Sequence, residues 1–102
     1  MTNINKLTYN IKQWATDRGL HTCDPKGQAL KLMEEVGELA EGLAKQNKPL
    51  VIDSIGDVYV VLVILSMQLG LDIEECIELA YNEIKDRKGK VINGVFVKES
   101  DL

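Results

Sequence analysis

Glu34, Glu35, Glu38 and Glu41 fall within eight consecutive positions of the stretch KLMEEVGELAEG, residues 31–42, threaded by Leu32, Met33, Val36 and Leu39. On a helix Glu34 and Glu38 are i, i+4 neighbours and Glu35 and Glu38 are i, i+3, so all three project to one side. Like charges so placed repel by a few tenths of a kcal/mol per pair, and something has to offset that repulsion. A divalent cation does so, because Mg²⁺ takes hard oxygen ligands in an octahedral shell and keeps waters for a phosphate substrate. A solvated acidic face is the plain alternative.

Asp57 weighs against that alternative. It stands at the head of VYVVLVILSM, residues 58–67, a run that is apolar around most of a helix. A carboxylate there is hard to leave in solvent and expensive to bury unpaired. Asp53 lies one turn earlier on the same face, so two helices joined by a short connection each offer carboxylates that an antiparallel hairpin brings together. Di-iron bundles use a related arrangement but need Glu-x-x-His repeats, and His21 is the only histidine. Redox iron is therefore set aside, and His21 is expected at the surface.

The elements that must position these groups are helical. Ile4, Leu7, Ile11, Trp14 and Ala15 recur at helical spacing, which predicts a first helix over Ile4–Asp17 with Gly19 as its stop and Trp14 in the core. Asp24 before Pro25 predicts the start of a second helix running to about Lys45. Gln46, Asn47, Lys48 and Pro49 make the connection, and a third helix covers roughly Leu50–Leu69. Its Val- and Ile-rich middle competes as a strand, but the run is too long for one. The uninterrupted apolar stretch is also shorter than the ~20 residues a bilayer requires and is headed by Asp57, which argues against a membrane span. Asp72 as N-cap, with Glu75 as its capping-box partner, opens a fourth helix that ends before Gly89. VINGVFV, residues 91–97, then carries Asn-Gly between β-branched residues, the mark of a tight type I′ hairpin. Such a hairpin can serve as a swapped arm or a lid. Gly37, Gly42 and Gly56 each weaken a helix by about 1 kcal/mol relative to Ala, and close helix approach would explain them.

Composition bounds the rest. A chain of 102 residues, 45% hydrophobic and 27% charged, is expected to form one domain over residues 1–102 with a buried core. A small helical domain gains stability when its apolar faces pair between subunits, so a homo-oligomer is expected. The formal charge of -4 argues against a general affinity for nucleic acid polymers. Cys23 and Cys76 have no metal-type spacing and nothing resembles a secretory signal, which predicts a cytoplasmic protein with two free, buried thiols.

EEVGEL followed by DSIGDV resembles the MazG-like nucleoside triphosphate pyrophosphohydrolases, an all-α family whose signature is Glu-Glu-x-x-Glu on one helix and Glu-x-x-Asp on the next. The resemblance covers about Gln28–Arg87. It implies an all-α, four-helix bundle assembled as a homodimer or homotetramer, with sites near the subunit interfaces and the hairpin or arm added at the C-terminus. It also implies hydrolysis of a (deoxy)nucleoside triphosphate to the monophosphate and pyrophosphate, in the service of nucleotide-pool house-cleaning, with Mg²⁺ as cofactor and Mn²⁺ able to replace it. Glu35 and Glu38 would hold the metal with Asp57, and Glu34 would orient or deprotonate the attacking water. Where the pattern has the Glu of Glu-x-x-Asp, this chain has Ser54, with a carboxylate displaced to Asp53. Either Asp53 reaches the metal as a shorter arm or Ser54 holds a water of its shell. NEIKDRK, residues 82–88, resembles the family's phosphate-contacting helix, which puts Asn82 and Lys85 on the substrate. Basic residues there also complement the helix dipole. Lys31, one turn before Glu34 and Glu35, can reach phosphate or neutralise their repulsion, and Tyr81 is assigned to packing. The reading from a different class is a non-catalytic oligomeric helical module that binds a nucleotide or a protein partner through the same cleft.

Overall fold

The structure, a computed structural model, describes residues 2–102. It contains helices α1 (Ile4–Asp17), α2 (Lys26–Ala44), α3 (Lys48–Gln68) and α4 (Ile73–Ile84), then strands β1 (Gly89–Ile92) and β2 (Val95–Lys98). Short 3-10 turns lie at Leu20–Thr22 and Glu99–Asp101. The all-α body with a terminal hairpin is the architecture that the sequence predicts.

Local chemistry explains the boundaries. Asn3 caps α1 by accepting from the N–H groups of Asn5 (2.9 Å) and Lys6 (3.3 Å). The Asp24 carboxylate accepts from the Lys26 N–H at 2.8 Å, as expected of it, although the helix proper begins only at Lys26. Two boundaries differ from expectation. Lys48 and Pro49 lie inside α3 rather than in the connection, because Asn47 accepts from the Leu50 N–H (3.3 Å) and thereby makes Pro49 a first-turn residue. At the other end of the chain α4 stops at Ile84, so Arg87 and Lys88 stand beyond the helix in the turn toward β1.

The α2–α3 connection is tight. Gln46 adopts a left-handed φ of 55°, Asn47 donates its N–H to the Gly42 carbonyl at 2.8 Å, and Gln46 donates to Leu43 at 3.3 Å. This is a Schellman closure with a non-glycine at the left-handed position. It folds α3 back along α2, and a Cβ on Gly42 would lie 3.0 Å from Val51 Cγ2 and 3.2 Å from its nitrogen. Gly42 is thus the close approach expected of it. Gly37 and Gly56 are not, since a Cβ on either meets nothing within 4 Å.

α3 is the central element, packed along α2 and also against α1, α4 and the Leu20–Thr22 turn. Its Val61, Val63 and Ile64 are buried with Ala15 of α1 and Ile73 of α4. Thr8 Oγ1 and Tyr59 OH share a hydrogen bond at 2.5 Å that pins α1 to α3, and Gln68 Nε2 donates to the Leu20 carbonyl at 2.9 Å. By length and composition alone α3 could cross a bilayer, and only 28% of its apolar window is buried within the protomer.

That core is thin for the chain that carries it. The accessible surface is 7797 Å² where a compact 11.4 kDa monomer exposes about 5,800 Å², an excess of roughly 2,000 Å². The radius of gyration is 16.2 Å against about 13 Å for a compact domain of this size. Trp14, expected in the core, is 47% exposed with the Arg18 guanidinium 4.2 Å above its ring. Cys23 and Cys76 are free as expected but exposed rather than buried. The helical periodicity that suggested burial records which faces are apolar; a single protomer does not supply enough surface to cover them.

Lys12 joins α1 to the start of α4, at 2.7 Å from Glu74 Oε2 and 3.3 Å from Asp72 Oδ1. Hydrogen bonding with the Glu74 side chain, the Glu74 N–H and Lys12 holds the Asp72 carboxyl below its ordinary value, while Glu74 and Asp72 raise Lys12. A depressed carboxyl stabilises the fold above its unfolded pKa and loses that contribution as pH falls through the folded one. Asp72→Asn keeps a good cap but removes the charge. Wild type should therefore be more stable than this variant at neutral pH, and the difference should shrink as pH falls below the ordinary 3.8, followed by urea unfolding across pH. Gly42→Leu should lower stability by about 1–3 kcal/mol through overpacking against Val51, measured at fixed protein concentration.

Candidate functional site

The α2–α3 pair carries the acidic residues singled out in the sequence. Contact between Gly42 and Val51 fixes the level of one antiparallel helix against the other. Both helices rise equally per residue, so stepping back along α2 and forward along α3 brings Glu38 level with about Ser54 and Ile55, and Glu35 level with about Val58. The Glu-Glu-x-x-Glu segment and the Ser54–Asp57 segment therefore occupy the same stretch of the helix pair.

Their environments are unequal. Glu35 is only 5% exposed, whereas its neighbours Glu34 and Glu38 are exposed. The sequence pattern puts all three on one side; in the structure only Glu35 is buried, and Glu34 and Glu38 are exposed. Glu35 Oε1 lies 3.5 Å from Lys31 Nζ, an i, i+4 ion pair within α2. Glu35 Oε2 is buried with no hydrogen-bond partner. On α3, Ser54 is fully buried and its Oγ likewise has no partner, Asp57 is half-buried and Asp53 is exposed.

A buried carboxylate oxygen and a buried hydroxyl, both unsatisfied, are costly in a folded protein, commonly about 1–3 kcal/mol each and more for a charged group. Such groups persist where something binds them. Among the described residues no set of three or more His, Cys, Asp or Glu side chains converges closely enough to hold a metal ion within one protomer. That still suits Mg²⁺, which is usually held by one or two carboxylates together with substrate phosphate and water. The donors present are hard oxygens, and the orphaned Glu35 Oε2 is the atom through which they fit the ion.

Asn82 and Lys85 are not brought to this place. Asn82 is an exposed residue of α4, Lys85 caps its C-terminal end, and α4 packs on α3 rather than along α2. A feature the sequence did not single out is the cavity of about 440 Å³ between α1, α3 and α4, lined by Asn5, Thr8, Tyr59, Glu74, Glu78 and Tyr81 among others. Tyr81, assigned to packing, is 60% exposed at its rim. Its residues come from three separated segments, and nothing in their local spacing announces that they meet.

Residues 24–92 match the sequence profile of a family described as the MazG nucleotide pyrophosphohydrolase domain. An uncharacterized 18.2 kDa protein from the rep-hol intergenic region of Haemophilus phage HP1 (strain HP1c1) is 48% identical over 73 residues. Those residues are 71% of this chain and 45% of that protein, so the chain spans less than half the length of this curated relative. No solved structure matches the chain significantly. The matched segment holds the whole α2–α3 pair with Glu34, Glu35, Glu38, Ser54 and Asp57, and on that match the chain belongs to the MazG nucleotide pyrophosphohydrolase domain family.

Proposed function

We propose that the protein hydrolyses (deoxy)nucleoside triphosphates to the monophosphate and pyrophosphate with Mg²⁺ as cofactor, Mn²⁺ serving as a substitute, in the cytoplasm and as part of nucleotide-pool house-cleaning. The observation that carries this reading is the buried, unpartnered Glu35 Oε2, with the half-buried Asp57 at about the same level of the matched helix pair. The working form is a homodimer or homotetramer, supported by the roughly 2,000 Å² of surface beyond what a compact monomer of 11.4 kDa exposes. Neither a nucleic acid polymer nor a membrane is a partner in this reading; α3 owes its apolar length to subunit contacts.

In this scheme Glu35, Glu38 and Asp57 would hold the metal, drawn together on binding because they do not already converge within one protomer, and Asp53 or Ser54 would complete its surroundings. Bound Mg²⁺ neutralises phosphate charge and acidifies coordinated water. Glu34, exposed next to Glu35, would take the proton from a water attacking one of the two phosphorus atoms that flank the α–β bridging oxygen, and the bond from that phosphorus to the bridging oxygen would break to release the monophosphate and pyrophosphate. Lys31 orients Glu35 through its 3.5 Å contact. Asn82 and Lys85 reach the phosphates only if α4 of another subunit closes over the α2–α3 pair, since within a protomer α4 packs on α3.

The non-catalytic alternative has one specific observation in its favour. Ser54 replaces a carboxylate at a fully buried position, which leaves the site a negative charge short of the family pattern.

Pyrophosphate release from a panel of ribo- and deoxyribonucleoside triphosphates, with and without Mg²⁺, decides between the two. Glu38→Gln and Asp57→Asn should each lower turnover by at least about 10²-fold, the scale on which catalytic groups act, with unchanged helical circular dichroism. Metal-independent release, or turnover retained in both variants, removes the metal assignment. Ser54→Glu offers a second check. Without Mg²⁺ it buries a further charge and should lower the melting temperature, and Mg²⁺ should restore more of that loss than it adds to wild type.

A further inference from the structure

The hairpin is the part of the molecule least explained by its own protomer. Neither strand packs broadly against any helix; β1 meets β2 and the terminal 3-10 turn, where the Glu99 N–H donates to the Lys88 carbonyl at 2.7 Å. A two-stranded hairpin alone is marginally stable in water. This one is nevertheless well specified. Asn93 (φ 52°) and Gly94 (φ 80°) form the primed turn, and the pairs Val91–Phe96 and Ile92–Val95 follow in register. Phe96 crosses over Gly89, where a Cβ would come within 2.7 Å of its ring.

Both faces of the ribbon are apolar. Paired residues share a face, so Val91 and Phe96 lie on one, and Ile92, Val95 and Val97 on the other. Val91 is 70% exposed, Val95 65% and Phe96 47%. The charges point the same way. Residues 85–102 hold five basic and three acidic side chains, a net +2, with Lys98 4.0 Å from Asp101, whereas residues 1–84 hold seven basic and thirteen acidic, a net -6. A cationic ribbon with two uncovered apolar faces is joined to an anionic helical body that also leaves Leu7, Ile52, Ile55 and Ile77 exposed.

We infer that residues 85–98 are an exchange arm that docks on the helical body of a second copy of this chain. The occupant is a copy of the chain because the body has both properties the arm requires, opposite charge and uncovered apolar surface. The excess of roughly 2,000 Å² over a compact 11.4 kDa monomer is also on the scale a stable self-association removes from water on each subunit. This inference rests on the self-association proposed above, and one experiment separates the two.

Sedimentation velocity of the full chain across protein concentration is compared with Lys88→Glu/Lys90→Glu/Lys98→Glu and, separately, Ile92→Ser/Val95→Ser, with helical circular dichroism confirming the fold. Wild type should be oligomeric, and the charge-reversed variant should associate at least about tenfold more weakly, because like charges placed together cost several kcal/mol. That gap should narrow in about 0.5 M salt, where exposed charges are largely screened. The apolar variant should be weakened at both salt concentrations. Hydrogen exchange of the Val91–Val97 amides should slow as wild-type concentration rises. An oligomer of unchanged strength in both variants overturns the arm while leaving self-association standing. A wild type that is monomeric throughout overturns both. Hairpin amides protected independently of concentration, or only on adding a duplex oligonucleotide, overturn the second copy as occupant.

Discussion

A carboxylate taken out of water must be matched by the protein or by what the protein binds, and the α2–α3 pair is organised around one such group. Glu35 reaches its position because Gly42 lets Val51 approach and because the Gln46–Asn47 closure returns α3 directly along α2. One oxygen is matched by Lys31 at 3.5 Å and the other by nothing among the described residues. Replacing both charged partners by apolar groups often leaves a buried pair's stability unchanged or improves it. A half-matched carboxylate is therefore poorly explained by stability alone.

The same helix pair accounts for the shape of the rest. α3 is apolar on nearly every side, so α2 covers one flank and α1 another, and much of the remainder stays open with α4 held mainly by Ile73 and by the exposed contacts of Lys12. Exposed ion pairs are weak and screened by salt. The ends of the chain are accordingly attached loosely to a firm α2–α3 centre, while the strongly paired hairpin touches little. Rigid local structure without packing partners is what an assembly unit looks like before it is assembled.

Much of this was legible in the residues. Helical apolar spacing located α1, cap residues the starts of α2 and α4, the length of an apolar run α3, and Asn93-Gly94 the hairpin turn, because these signals are local. The α2–α3 pairing could be read from its short connection. Spacing cannot say which of several residues on a helix face is buried, so the difference between Glu35 and its neighbours Glu34 and Glu38 had to come from the structure. Trp14, Cys23 and Cys76 show the converse limit. Their types favour burial, but burial needs a second surface, and one protomer of this chain does not bring it. The separation of Asn82 and Lys85 from the carboxylates is of the same origin, since the order of elements along a chain does not fix which helices touch.

Charge asymmetry ties the arm to the acidic face without requiring that they touch within one molecule. A body of net -6 repels both its own copies and an anionic substrate, and at physiological ionic strength that repulsion extends about 8 Å from the surface. Local positive charge has to be supplied where either is to approach. Lys85, Arg87, Lys88, Lys90 and Lys98 are gathered at and beyond the end of α4, with Arg87 4.0 Å from Glu83 and Lys98 4.0 Å from Asp101. Distributing the same residues over the helices would have neutralised the acidic face evenly and left no directional attraction. Concentrated on one ribbon, they would give two copies, in the association proposed above, a preferred orientation that brings positive charge toward a neighbour's acidic helices.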